Sequence, residues 1–161
     1  MDMRDCQAEN GQYMNGCPRG RCGGSRGTFG WADAGVFVPY YIYRMFGDDE
    51  IIYDNYEAMQ KYVDVFLAST DKVGANCRYG DWLSPLGNDM EMRILLAAAY
   101  YAWVARCMSE LANAIGKTDD AKRYAELYED EKKYFVETYV EPNGDLKYMT
   151  YTAVLYALHV D

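Results

Sequence analysis

The sequence predicts an all-α fold, and three observations carry that prediction. Apolar residues recur at three-and-four spacing over most of the chain from Asp33 onward. No segment shows the two-residue alternation of a half-buried strand. Two very short Gly-containing turns, Gly47-Asp48 and Gly116-Lys117, alternate with the long loops 11–32, 70–88 and 140–148. Short turns force antiparallel helix neighbours, so the pattern reads as helical hairpins whose long loops fall on one end.

Each element has its own signal. Residues 1–10 read as the tail of a helix closed by Gly11. Residues 33–46 read as a helix through Pro39, which removes one backbone bond and should bend it. Residues 49–69 place Ile51, Ile52, Tyr56, Met59, Val63, Phe66 and Leu67 on one face. Residues 89–115 form a longer and more apolar helix, and 118–139 a charged partner that starts at Thr118-Asp119-Asp120, a hydroxyl cap followed by acids. Residues 149–160 read as a last apolar helix. Both ends of the chain look cut through elements that should continue. Gly47 and Gly116 each follow an apolar helix and precede an acid-rich start, the mark of a weak hairpin repeat. Within each hairpin the first helix is the more apolar, as an inner ring inside an outer one would be.

Composition narrows the function classes. The 161 residues are 50% hydrophobic and 25% charged, which suits one soluble globular domain and excludes a disordered chain. The net charge of −9 argues against a nucleic-acid partner. The longest uncharged apolar-leaning run, 94–105, is too short for the ~20 residues of a membrane span, and the start lacks the apolar core of a signal peptide. Arg19, Arg21 and Arg26 sit among glycines, as an anion site or a solvated loop. Five cysteines (Cys6, Cys17, Cys22, Cys77, Cys107) make an odd number without a disulfide framework, and His159 is the single histidine. No metal site and no cofactor are expected, and a reducing, cytoplasmic setting is favoured.

Chemistry-bearing residues concentrate in the long loops, where function usually resides. One carries Trp31 and Asp33 within Gly30-Trp31-Ala32-Asp33-Ala34-Gly35, the other Asp81 and Trp82 within Tyr79-Gly80-Asp81-Trp82-Leu83. Indole faces cover the C–H faces of a sugar ring, and carboxylates accept hydrogen bonds from its hydroxyls. Plainer readings stand beside this one. Asp33 could cap its helix, the two tryptophans could plug the core, Asp81 could turn its loop, His159 could be an interior or boundary residue, and the 17 tyrosines could be packing.

The run from Gly30 to Tyr40 with Tyr43-Arg44-Met45-Phe46-Gly47-Asp48 resembles the catalytic domains of bacterial α-L-rhamnosidases (glycoside hydrolase family 78). So do Tyr79–Leu83, the Asp-Met-Arg-Asp-Cys-Gln-Ala-Glu-Asn-Gly start and the end from Ala153 to Asp161. The resemblance implies a single partial catalytic domain over 1–161, about half of an (α/α)6 toroid. It implies a substrate, an L-rhamnose-containing glycoside, and gives Trp31 and Trp82 the walls of the rhamnose pocket, with Asp33 and Asp81 orienting hydroxyls or neighbouring residues. Inverting enzymes of this kind pair an acid and a base carboxyl about 6.5–9.5 Å apart. The family's acid lies in an Asp-Cys-Pro-x-Arg-x-Glu-Arg type stretch that this chain lacks. Cys17-Pro18-Arg19 resembles it superficially, but no Asp or Glu occurs between Asn10 and Asp33. The base is expected beyond Asp161. The isolated chain is therefore expected to be inactive. A non-catalytic helical-hairpin module binding a glycan or a protein through its loop rim is the alternative, and a fragment that self-associates through exposed seams is the third reading.

Overall fold

The computed structural model describes residues 3–18, 27–68, 78–85 and 89–160, with the side chains of 66–68 left aside. Arg19, Arg21, Arg26, Cys22 and Cys77 lie outside the described residues. Five helices follow in order, α1 (Ala34–Phe46), α2 (Glu50–Ala68), α3 (Met90–Ala114), α4 (Thr118–Tyr139) and α5 (Tyr151–Val160). An isolated bridge between Val140 and Leu146 closes the α4–α5 connection.

The helix ends show why the hairpins turn where they do. Gly47 sits at φ 68° and donates its N–H to the Tyr43 carbonyl, the left-handed stop that glycine adopts without a Cβ clash. Gly116 does the same work after α3 at φ 73°, and Lys117 N–H reaches back to the Ala112 carbonyl. Asp89 caps α3 by accepting from Met92 N–H, and the Thr150 hydroxyl accepts from Ala153 N–H at the head of α5. Thr118, expected as a cap, is instead the first helical residue. Lys117 occupies the cap position without a side-chain bond, and the acids Asp119 and Asp120 in the first turn complement the helix dipole.

α3 is the spine. One side of it packs with α1 and α2 around Val36, Tyr40, Ile52, Met59, Tyr62, Met108 and Leu111. Its other side packs with α4 and α5 around Leu95, Ala99, Phe135, Tyr139, Ala153 and Val160. A helix buried on both sides must be apolar nearly all round, which is why the 89–115 pattern was the longest and least amphipathic. The run of alanines from Ala97 to Ala99 lets neighbours approach closely. Outer helices carry the charge, with the pairs Glu57–Lys61, Lys122–Glu126 and Lys133–Glu137 one turn apart on exposed faces. Such solvent-screened surface pairs add little, so burial along α3 holds the fold.

The N-terminal expectation needs correction. Residues 3–10 form successive turns rather than a helix tail. Beside local turn bonds such as Gln7 N–H to the Arg4 carbonyl, side chains of this segment reach across to α2. Gln7 Nε2 donates to the carbonyls of Gly11 and Ala58, and Arg4 Nη1 to that of Asp54. Gly11, at φ 91°, passes so close that an added Cβ would lie 2.6 Å from the Lys61 carbonyl oxygen. Its glycine serves close approach, not a helix stop.

Candidate functional site

The first loop is built around Asp33. Its carboxylate is 1% exposed and accepts hydrogen bonds from Gly30 N–H and the Tyr62 hydroxyl, both at 2.7 Å. Trp31 and Ala32 N–H groups both donate to the Thr28 carbonyl, and Thr28 is itself held by Asn15 Oδ1. Gly30 turns at φ 83° beneath the Tyr100 hydroxyl. The result is a rigid turn with Asp33 folded inward and Trp31 turned outward, 49% exposed. Burial pushes the Asp33 carboxyl up to about 6, against the opposing pull of its Tyr62 and Gly30 hydrogen bonds. Asp33 is thus a corner post of the turn. It neither caps α1 with its side chain nor faces solvent.

The second loop brings its own aromatics to the same place. Tyr79 lies between the two indoles, with ring centres 5.4 Å from Trp31 and 5.1 Å from Trp82. The Arg78 guanidinium stands 5.4 Å over the Tyr79 ring. Trp82 is 60% exposed, so neither tryptophan is a core plug.

Between the loops lies a cavity of about 170 Å³. Trp31, Asp81 and Arg93 line it, α3 contributes Tyr100, and α5 contributes Thr152 and Tyr156. Tyr100 and Tyr156 share a hydrogen bond between their hydroxyls across its floor. Its volume is below the ≈ 300 Å³ at which drug-sized sites begin, a scale that suits one small ring. Its described residues offer aromatic faces, the Asp81 carboxylate, the Arg93 guanidinium and several hydroxyls, a set that can hold a polyol without a metal. Among the described residues no group of three or more His, Cys, Asp or Glu side chains could hold a metal ion, and no helix is long and apolar enough to cross a membrane.

Known proteins share this chain's sequence pattern and fold. The sequence model of the bacterial alpha-L-rhamnosidase 6 hairpin glycosidase domain matches residues 1–161, the whole chain. The chain belongs to that family. An α-L-rhamnosidase of Streptomyces avermitilis is 31% identical over 169 residues, covering 100% of this chain and 15% of its own length. An α-L-rhamnosidase of Formosa agariphila is 31% identical over 135 residues, covering 80% of this chain and 14% of its own. The crystal structure of the Streptomyces avermitilis α-L-rhamnosidase complexed with L-rhamnose superposes at a TM-score of 0.86 with 29% identity, over 99% of this chain and 15% of that one. The α-L-rhamnosidase from Dictyoglumus thermophilum gives 0.78 with 27% identity, over 88% of this chain and 16% of that one. This rhamnosidase-family chain thus spans about 15% of the length of the relatives it matches. Its five helices are a part of the twelve that six hairpins require.

Within the rhamnosidase-family fold, the four candidate residues separate. Trp31 and Asp81 line one cavity, Trp82 stands beside it through Tyr79, and Asp33 sits behind the wall. His159 lies away from it, stacked on Trp103 at 4.0 Å and 5°. Tyr79, Arg93, Tyr100, Thr152 and Tyr156 were not singled out from the sequence. Only Tyr79 had a usable signal, its place within the Tyr79–Leu83 run.

Proposed function

We propose that this chain supplies the sugar-facing wall of an α-L-rhamnosidase, which removes terminal L-rhamnose from glycosides with inversion when complete. The observation that carries this reading is the convergence of Trp31 and Asp81, fifty residues apart in sequence, on one small cavity. Trp31 would cover the apolar face of the pyranose. Asp81 would accept from its hydroxyls, while Arg93, Thr152 and the tyrosine hydroxyls complete the hydrogen-bonding ring. Rhamnose is named in the Streptomyces avermitilis complex, whose fold this chain follows closely.

Among the described residues only one carboxylate, that of Asp81, lines the cavity. Two facing carboxyls are needed to protonate the leaving oxygen and to activate water. The proposal therefore places both outside these residues. The purified 161 residues are expected to give no release of nitrophenol from p-nitrophenyl α-L-rhamnoside above the buffer rate. Sustained turnover would show that the chain holds its own acid and base. The single carboxylate is also what favours the second reading, a glycan-binding module without catalysis. The proposal extends to self-association of the isolated chain, because Val38, Tyr41 and Met45 on α1 and Leu155 and Leu158 on α5 leave an exposed apolar row.

A further inference from the structure

The two loops that meet at the cavity are held very differently. The first is fixed by buried bonds from Gly30 and Tyr62 to Asp33 and from Thr28 to Asn15. The second buries little, since Trp82 and Leu83 are both largely exposed. Leu83 moreover adopts φ 65°, a left-handed backbone that a branched side chain does not favour. Tyr79 packs between the two indoles, while the tip at Trp82 and Leu83 stays in solvent.

Arg93 stands where a hold is needed. It lies in the first turn of α3, directly after the residues capped by Asp89, and its own N–H donates to the Asp89 carbonyl. Its guanidinium donates from Nη1 to the Arg78 carbonyl at 3.1 Å, and the same side chain lines the cavity with Asp81. α3 is the most buried helix of the fold, so this bond ties an exposed loop to its stiffest element. We propose that Arg93 is a positioning residue, a tether from α3 to the Arg78 carbonyl that fixes Asp81 and Trp82 at the sugar cavity. The inference rests on the pocket reading above and deepens it, because it assigns the specificity of the wall to a cation that touches both loop and cavity. A guanidinium serves this better than an ammonium. Its planar fork can direct one N–H to the carbonyl while another faces the cavity.

Hydrogen exchange on the full 161-residue chain tests the tether, with and without L-rhamnose. Arg93→Met is expected to speed exchange of the amides at 79–84 about fivefold, the scale of a partly exposed charge-assisted hydrogen bond. Amides of 95–111 in α3 should keep their wild-type rates. Arg93→Lys, which keeps a donor on a long stem, should fall between the two. Unchanged exchange at 79–84 in Arg93→Met overturns the proposal, as does an equal rise along α3 or a lysine variant no better than methionine. Added L-rhamnose should slow 79–84 in the wild type and do so less in Arg93→Met. If the tether effect is present but the sugar protects nothing in the wild type, the pocket reading fails while the loop anchor stands.

Discussion

Asp33→Ala is expected to destabilise the chain by about 1–2 kcal/mol, read by urea or thermal unfolding at neutral pH. The substitution removes the carboxylate that accepts from the part-buried Gly30 N–H and from the hydroxyl of buried Tyr62. Each buried donor left unmade costs about 1–3 kcal/mol, and relief of the buried charge offsets part of the sum. Asp33→Asn should cost far less, since its carbonyl can accept from Gly30 and its amide can donate to the Tyr62 oxygen. The pH profile separates the two effects. Because burial raises the folded carboxyl to about 6 from an ordinary 3.8, the proton binds the folded state more tightly than the unfolded one. The stabilising contribution is fully present below about pH 4 and is lost as pH rises through about 6. Wild type should therefore lose roughly 2–3 kcal/mol across that window relative to Asp33→Asn, in which the step is absent. Equal profiles for the two proteins would show that Asp33 does not titrate in this way.

Trp31→Ala is expected to weaken L-rhamnose binding about tenfold or more, measured by titration calorimetry, which corresponds to roughly 1.4 kcal/mol. The indole lines the cavity, and its loss removes both apolar contact and a face for the sugar C–H groups. Trp82→Ala should have a smaller effect, about threefold, because Trp82 acts by propping Tyr79 at 5.1 Å rather than by lining the cavity. Neither change should unfold the chain, as both side chains are about half or more exposed. Unaltered affinity in Trp31→Ala would remove the aromatic wall from the account. The order of the two effects is itself informative, since a direct role for both indoles would make them alike.

These two cases also show what could be read from residue order and what could not. For Trp31 the sequence left open an exposed loop position or a core plug, and its 49% exposure selects the first. The hairpins were legible because Gly47 and Gly116 stop their helices by backbone geometry that glycine alone adopts cheaply. Asp33 was half legible. Its position before an apolar helix suggested a cap, but its true partner, Tyr62, lies 29 residues away and leaves no local trace. Tyr100 and Tyr156 were not legible, because at helical spacing a tyrosine that floors a cavity looks like one that packs. Residues 3–10 misled because a helix stop and a glycine that lets two backbones meet look alike in sequence.

One small ring is expected to bind between the two aromatic loops. A crystal structure of this chain with L-rhamnose tests it most directly. The account predicts the pyranose against Trp31 with a hydroxyl within hydrogen-bond reach of Asp81, and with Tyr100 and Tyr156 beneath it. Sugar seated instead in the neighbouring apolar groove of Phe37, Tyr41, Met45 and Trp103, or an empty cavity at saturating rhamnose, would contradict it.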